Sequence, residues 1–134
     1  MPLSRLHDFL EPLDYLVAVL PQTAATEKLL DKTALAKLPA HAYFINVGRS
    51  NVLDDKALTD ALQGKELAGA TLDVFDQEPL PVDSPLWDTP GLSITAHIAA
   101  ISHPSLIVPI FVENYRRYVS KQALRYVVDF DKGY

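Results

Sequence analysis

The stretch FINVGRSNVLDD, residues 44–55, carries the clearest fold signal in the chain. A largely apolar run stops abruptly at Gly48, and the cation Arg49 follows at once. The run is continuous rather than alternating, which is typical of a strand buried on both faces of a parallel sheet. Asp54 then begins a pattern that predicts a helix ending at Gly64. The stretch therefore predicts one strand–loop–helix unit of an α/β fold, with an arginine where the strand ends.

Further patterns of the same kind lie on both sides of this stretch. The predicted strands are residues 14–20, 42–47, 68–74 and 92–96. A second helix is predicted over DKTALAKL, residues 31–38, with Asp31 as its N-cap. Residues 75–91 contain four prolines and predict an ordered loop without a regular element. A last helix is expected within residues 104–124, where Pro109 should kink it or delay its start, and residues 125–134 predict a strand or an extended arm.

The predicted elements fit one half of a known architecture. A complete dinucleotide-binding fold has six strands in two halves, and its first half carries G-x-G-x-x-G. The 134 residues contain no such motif. We therefore expect an α/β chain with about four mainly parallel strands and covering helices, which is the second half of a Rossmann-type nucleotide-binding domain.

Composition narrows the functional classes. The net charge is −5 and there is no run of Lys or Arg, which argues against nucleic acid or an anionic membrane surface as a partner. The absence of cysteine excludes disulfides, thiolate zinc sites and a Cys nucleophile. The sequence also has no H-E-x-x-H pattern, so no metal site is predicted. Asp8 and Glu11 lie where a signal peptide would be basic and then apolar, so a cytoplasmic protein is expected.

Four charged or titratable residues follow the predicted strands. Ligands of open α/β sheets bind at the carboxyl ends of the strands. Arg49 follows the second strand, Asp73 and Glu78 follow or close the third, and His97 follows the fourth. Each residue alone is well explained as a solvated or structural side chain. Together, at successive strand ends, they make a functional site an equally good interpretation.

The chemistry of these residue types suits a 2-keto acid. An arginine can bind a carboxylate through two parallel hydrogen bonds. Histidine is a proton donor near neutral pH, and a carboxylate such as Glu78 can orient it and favour its protonated form. Reduction of a ketone needs in addition a hydride, which a nicotinamide carries.

Three motifs resemble a known family. FINVGRS, GATLDVFDQEPL and ITAHIAA, in that order and spacing, resemble the C-terminal part of the D-isomer-specific 2-hydroxyacid dehydrogenases. The resemblance runs from about Leu13 to Glu113, and QEPLPVDSPLW with the ending DKGY is most similar to the glyoxylate/hydroxypyruvate reductase A branch. It implies reduction of a small 2-keto acid such as glyoxylate or hydroxypyruvate, to the D-2-hydroxyacid, with NAD or NADP as cofactor.

The resemblance also implies roles for individual residues. Arg49 falls on the arginine that binds the substrate carboxylate, His97 on the catalytic acid/base, and Glu78 on its paired carboxylate. Asp73 falls on the residue that holds the nicotinamide carboxamide. The positions implied to contact the cofactor are Leu20, Pro21, Thr23, Val47, Gly48, Arg49, Asp73, His97 and Ala99.

This chain also departs from the family pattern. The family usually has Gly where this chain has Ser50, and Pro where it has Ala96; Ser50 would be strained only if left-handed. We expect residues 1–134 to be the C-terminal half of the NAD(P)-binding domain plus a C-terminal helix and tail, without the glycine-loop half and the substrate domain. Alone, the chain is expected to be inactive and to form a homo-oligomer through an exposed strand edge or a swapped segment. A truncated, non-catalytic interaction or assembly module is the alternative.

Overall fold

The computed structural model describes residues 3–134. The chain divides into two compact units, one ending at Ala99 and the other spanning Ala100–Tyr134. All the predicted site residues belong to the first unit.

The first unit contains a four-stranded parallel sheet. The strands are hydrogen-bonded in chain order, and they are β1 (Tyr15–Ala18), β2 (Tyr43–Asn46), β3 (Gly69–Leu72) and β4 (Leu92–Ile94). The prediction of four parallel strands is confirmed. Each strand is shorter than predicted because the apolar runs continue into the loops beyond the last ladder pair.

One face of this sheet forms the core. Leu16, Phe44 and Ala70 align across the first three strands, and all three are buried. Leu10, Leu35 and other buried helical side chains belong to the same apolar cluster. The strand residues between them are exposed or half-buried. The expectation of burial on both faces was therefore wrong for β1, β2 and β4, because a continuous apolar run does not reveal whether both faces are covered.

From residue 3 to the end of the first unit there are three α-helices: α1 (Leu6–Leu10), α2 (Lys32–Leu35) and α3 (Asp55–Gln63). Asp31 accepts a hydrogen bond from the Ala34 N–H at 2.8 Å, and Asp54 accepts one from the Ala57 N–H at 3.1 Å. Both predicted N-caps are confirmed. α2 ends earlier than predicted, and α1 was not predicted.

The long Pro-rich connection differs from the prediction in one place. Pro85–Asp88 forms a short 3-10 turn, with Pro85 at its start and the Ser84 hydroxyl accepting from the Leu86 N–H. Proline is compatible with the first turn of a helix because the N–H it lacks would have no partner there. The four prolines therefore allow one short helical turn.

The second unit is a helix followed by a folded tail. α4 (Pro104–Val119) begins at Pro104 and contains Pro109, so the inner proline does not delay its start. The tail forms no strand; it turns back so that Tyr134 O accepts a hydrogen bond from Asp129 N, at 3.0 Å. Along residues 3–134, no helix is long and apolar enough to cross a membrane.

Candidate active site

The last residues of the four strands are aligned with one another across the sheet. Ladder pairs join Ala18 to Asn46, Asn46 to Leu72, and Leu72 to Ile94, and these are the last residues of β1 to β4. The loops that follow the strands therefore begin side by side at one edge. This edge carries every residue predicted to belong to the site.

Glu78 and His97 form a side-chain pair at this edge. His97 Nδ1 lies 2.9 Å from Glu78 Oε2, and Glu78 Oε1 accepts a hydrogen bond from the Phe75 N–H at 3.0 Å. The hydrogen bond with His97, followed by the one from Phe75, lowers the pKa of Glu78 below its ordinary value. The ionised carboxylate can only accept, so the shared hydrogen belongs to Nδ1 and the other ring nitrogen, Nε2, remains free.

The backbone at His97 has an unusual conformation. Its φ is 54°, in the left-handed region. For a residue with a side chain this conformation costs about 1–2 kcal/mol, so surrounding contacts must hold it. The imidazole is half exposed, with 50% of its side-chain area accessible. The ring is therefore both fixed through Nδ1 and open to a ligand.

Asp73 supplies those surrounding contacts. Its side chain is buried, with an exposed fraction of 2%. Oδ1 accepts from the Thr95 hydroxyl and from the Ile98 N–H at 3.0 Å, and Oδ2 accepts from the Ala99 N–H at 2.9 Å. Burial acts to raise the pKa of Asp73, but these hydrogen bonds and the charge of His97 outweigh it, so the pKa is lowered. Asp73 is thus an ionised carboxylate enclosed by the loop that carries His97.

Arg49 lies in the loop after β2. Its Nη1 donates to the Gly48 carbonyl at 2.8 Å, and the side chain is exposed. Asn46, buried at the end of β2, accepts from the Gly48 N–H at 3.1 Å and donates from Nδ2 to the Arg49 carbonyl at 3.2 Å. The turn that carries Arg49 is therefore tied to the end of its own strand.

The loop after β1 packs against this turn. A Cβ added at Gly48 would lie 2.7 Å from Leu20 N and 2.8 Å from Leu20 O, so only glycine allows the two backbones to approach this closely. Further along, the Thr26 hydroxyl donates to the Pro21 carbonyl at 2.7 Å and accepts from the Thr23 N–H at 2.9 Å. These contacts order the loop containing Leu20, Pro21 and Thr23.

A pocket adjoins the Glu78–His97 pair. Its volume is about 550 Å³, and much of its wall is apolar, formed by Phe75, Leu80 and Ile94 together with Trp87. Trp87 Nε1 donates to the Pro81 carbonyl at 2.8 Å, which anchors the Pro-rich loop. The pocket gives the polar pair a partly apolar setting.

Sequence reasoning did not single out three residues that shape the site. They are Asn46 and Thr26, which hydrogen-bond to the backbone of predicted site loops, and Thr95, whose hydroxyl donates to the Asp73 carboxylate. For Asn46 and Thr95 the available signal was a polar side chain at or just beyond the end of an otherwise apolar strand, whereas Thr26 lies in the loop well beyond β1 and carried no such signal. A buried polar residue pairs with nearby groups, so Asn46 was a candidate for holding its loop.

Comparison with known proteins shows the family to which the chain belongs. A model of the NAD binding domain of D-isomer specific 2-hydroxyacid dehydrogenases matches residues 1–99. The chain belongs to the D-isomer-specific 2-hydroxyacid dehydrogenases. The predicted family is therefore confirmed.

Similar solved structures come from the same family. One is a D-isomer specific 2-hydroxyacid dehydrogenase from Xanthobacter autotrophicus Py2 in complex with NADPH and MES, with 43% identity and a TM-score of 0.92 over 98% of this chain and 54% of that one. Another is an NADPH-dependent glyoxylate/hydroxypyruvate reductase from Sinorhizobium meliloti in complex with NADP and sulfate, with 34% identity and a TM-score of 0.90 over 98% of this chain and 43% of that one.

Curated relatives are longer than this family member. Glyoxylate/hydroxypyruvate reductase A from Klebsiella pneumoniae (strain 342) is 36% identical over 131 residues, which are 98% of this chain and 42% of the relative. The chain therefore spans less than half the length of the curated relatives it matches. The 36% identity over 98% of this chain confirms the predicted similarity to the reductase A branch.

The departure at Ser50 is accommodated in this family member. Ser50 does not have a positive φ, and it begins a 3-10 turn, Ser50–Val52. The strain that a left-handed serine would bring is therefore absent. At the other departure, Ala96 directly precedes the left-handed His97.

The close approach at Gly48 yields a stability prediction. Gly48→Ala should lower the free energy of unfolding by about 1–3 kcal/mol, because the new methyl group meets the Leu20 backbone rather than a movable side chain. Gly64→Ala is the matched control. Gly64 has φ −72°, and a Cβ added there would lie 3.2 Å from Asp60 O, so the free energy of unfolding should change by no more than about 1 kcal/mol. Urea unfolding of both variants measures the difference. Equal stability of the two variants would show that the loops do not meet as described.

Proposed function

We propose that this protein reduces a small 2-keto acid, such as glyoxylate or hydroxypyruvate, to the D-2-hydroxyacid with hydride from NADH or NADPH. The hydrogen bond between Glu78 and His97 carries the proposal. It joins the loops that follow the neighbouring strands β3 and β4. The same edge holds Arg49, whose charge suits an acidic substrate. Since relatives are longer, the proposal concerns the activity of the whole protein, to which these 134 residues contribute the groups discussed below.

Arg49 is proposed to bind the carboxylate of the substrate. Its guanidinium is exposed, and within residues 3–134 its hydrogen bond is the one from Nη1 to the Gly48 carbonyl. The remaining N–H groups can form the paired hydrogen bonds that a carboxylate accepts. The tie between Asn46 and this turn fixes the point from which the side chain extends.

His97 is proposed to donate the proton. Its Nδ1 is engaged by Glu78, so Nε2 is the nitrogen that faces the reaction. In the imidazolium form the Nε2–H can donate to the carbonyl oxygen, polarise it and transfer its proton as the oxygen becomes an alkoxide. The ionised Glu78 stabilises that imidazolium and keeps the ring in place.

The residues at this edge fit the nicotinamide end of a dinucleotide. An ionised carboxylate offers about four lone-pair positions, and Asp73 uses three of them, which leaves one acceptor for a carboxamide N–H. The close approach of Gly48 to the Leu20 backbone holds the loops after β1 and β2 side by side at this edge. NAD(P)H supplies the hydride when bound. The proposed contacts are Leu20, Pro21, Thr23, Val47, Gly48, Arg49, Asp73, His97 and Ala99.

The role of Arg49 is tested by a substitution that keeps its charge. In a form of the protein that turns over glyoxylate or hydroxypyruvate, Arg49→Lys should lower kcat/KM by about ten- to a hundredfold, because lysine cannot form the paired hydrogen bonds. Arg5→Lys, at an exposed arginine of the first unit, is the control and should leave kcat/KM unchanged. Near-normal kcat/KM in Arg49→Lys would remove the carboxylate-binding role.

We further propose that this chain forms a homo-oligomer through β1, by direct strand pairing or by a swapped segment. β1 is an edge strand, and the carbonyls of Asp14 and Ala18 accept from residues of β2 and its exit. The backbone groups of Tyr15, Val17 and Val19 therefore face the open edge. Residues 14–20 contain no Lys or Pro, the usual protections of an edge.

Light scattering on the purified chain tests this assembly. The wild-type chain should be larger than a monomer, and Val17→Lys should shift it toward the monomer, because a charge on an edge strand opposes pairing. Val82→Lys, at a fully exposed position in the Pro-rich loop, is the control and should not change the mass. A monomeric wild-type chain would contradict the proposal.

A further inference from the structure

The loop that carries His97 is held by very few contacts. The last ladder bond joins the Thr95 N–H to Leu72 O at 3.0 Å, after which the chain leaves the sheet. Within residues 3–134, the side-chain and backbone hydrogen bonds made by residues 96–99 go to two carboxylates, those of Asp73 and Glu78. The loop residues themselves are exposed. Its shape therefore depends on those two carboxylates.

Asp73 makes most of the hydrogen bonds that hold the loop in this conformation. It is the first residue after β3, so its backbone is fixed by the sheet, where its N–H donates to Asn46 O at 3.0 Å. Its two oxygens accept from three residues of the neighbouring segment, Thr95 before His97 and Ile98 and Ala99 after it. Thr95 precedes the left-handed residue and Ile98 follows it. A carboxylate that binds both sides of a strained residue can hold the strain in place.

We propose that Asp73 and Thr95 are positioning residues, which hold the backbone of residues 95–99 in the conformation in which His97 meets Glu78. This inference rests on the proposed function for its consequence in catalysis. This role differs from a cofactor contact, because Asp73 holds the backbone of residues 95–99 before any ligand binds. Thr95, which received no role from the sequence, becomes part of the site.

The titration of Glu78 reports whether His97 is in place. The hydrogen bond with His97 is the largest influence that lowers the pKa of Glu78, followed by the Phe75 N–H, whereas the charge of Asp73 raises it slightly. His97 and Asp73 are the charged groups that act on Glu78 here. Loss of the loop conformation should therefore let Glu78 titrate closer to its ordinary range. Thr95→Val causes that loss without changing any charge.

The experiment uses the 134-residue chain labelled for NMR, without cofactor or substrate. In Thr95→Val, the Ile98 and Ala99 amides should exchange with solvent roughly tenfold faster, as expected for the loss of one charge-assisted hydrogen bond. The titration midpoint of the Glu78 carboxyl should rise in the same variant. Thr95→Ser keeps the hydroxyl and should restore both values. Thr59→Val, whose hydroxyl donates within α3 to Lys56 O, is the control and should change neither.

Asp73→Asn gives a second measurement. An amide cannot accept at both positions, so the Ile98 and Ala99 amides should again lose protection. Glu78 is not used as the reporter there, because removing the charge of Asp73 acts on it directly. If this variant does not fold, Thr95→Val and Thr95→Ser decide alone. Wild-type amide protection and Glu78 titration in Thr95→Val would overturn the proposal.

Kinetics separate this inference from the proposed function. In a form that turns over a 2-keto acid, Thr95→Val should lower kcat with little change in KM, because the proton donor acts in the transition state whereas Arg49 binds the substrate. The NMR result stands whether or not the protein reduces keto acids. If the Ile98 and Ala99 amides exchange faster in Thr95→Val but no form of the protein turns over a 2-keto acid, the proposed function is refuted and the positioning role stands. If the protein turns over a 2-keto acid but amide exchange in Thr95→Val is unchanged, the positioning role is refuted and the proposed function stands.

Discussion

Parallel hydrogen bonding aligns the last residues of all four strands in a single row, and every other feature of the site follows from this alignment. Groups that the chain places directly after different strands must lie along one edge, although they are far apart in sequence. The chain places Arg49 after β2, the carboxylates of Asp73 and Glu78 after β3, and His97 after β4. A slip of one residue in any pair would exchange the buried and exposed faces of a strand, so the apolar core and the site depend on the same register.

Buried polar side chains turn this alignment into a defined geometry. Asn46 closes β2 and binds both ends of the turn before Arg49, and Asp73 follows β3 and binds both sides of His97. Each is nearly inaccessible to solvent, where an unpaired polar group would cost about 1–3 kcal/mol. The loops must therefore keep the conformations that satisfy these groups. The functional side chains extend from backbones that are fixed in this way.

Much of this arrangement could be predicted from the sequence, because strands, helix caps and strand-end charges are local signals. Four apolar runs gave four strands, and Asp31 and Asp54 gave two helix starts. The signals were weaker where tertiary contacts decide. α1 has only five residues, and the exposed face of β1 reads as apolar in sequence. The roles of Asn46 and Thr95 depend on which groups approach them in space, backbone groups for Asn46 and the Asp73 carboxylate for Thr95, and no spacing rule encodes that.

The central claim is that Glu78 holds His97 as the proton donor in reduction of a 2-keto acid. The pH dependence of kcat/KM for glyoxylate or hydroxypyruvate, measured for the wild type and for Glu78→Gln, tests it most directly. Reduction uses the imidazolium as proton donor, so kcat/KM should fall toward high pH. Because an ionised carboxylate 2.9 Å from the imidazole stabilises the imidazolium charge, Glu78→Gln should lower kcat/KM for reduction, and by more at high pH than at low pH. An unchanged pH profile in Glu78→Gln would contradict the account.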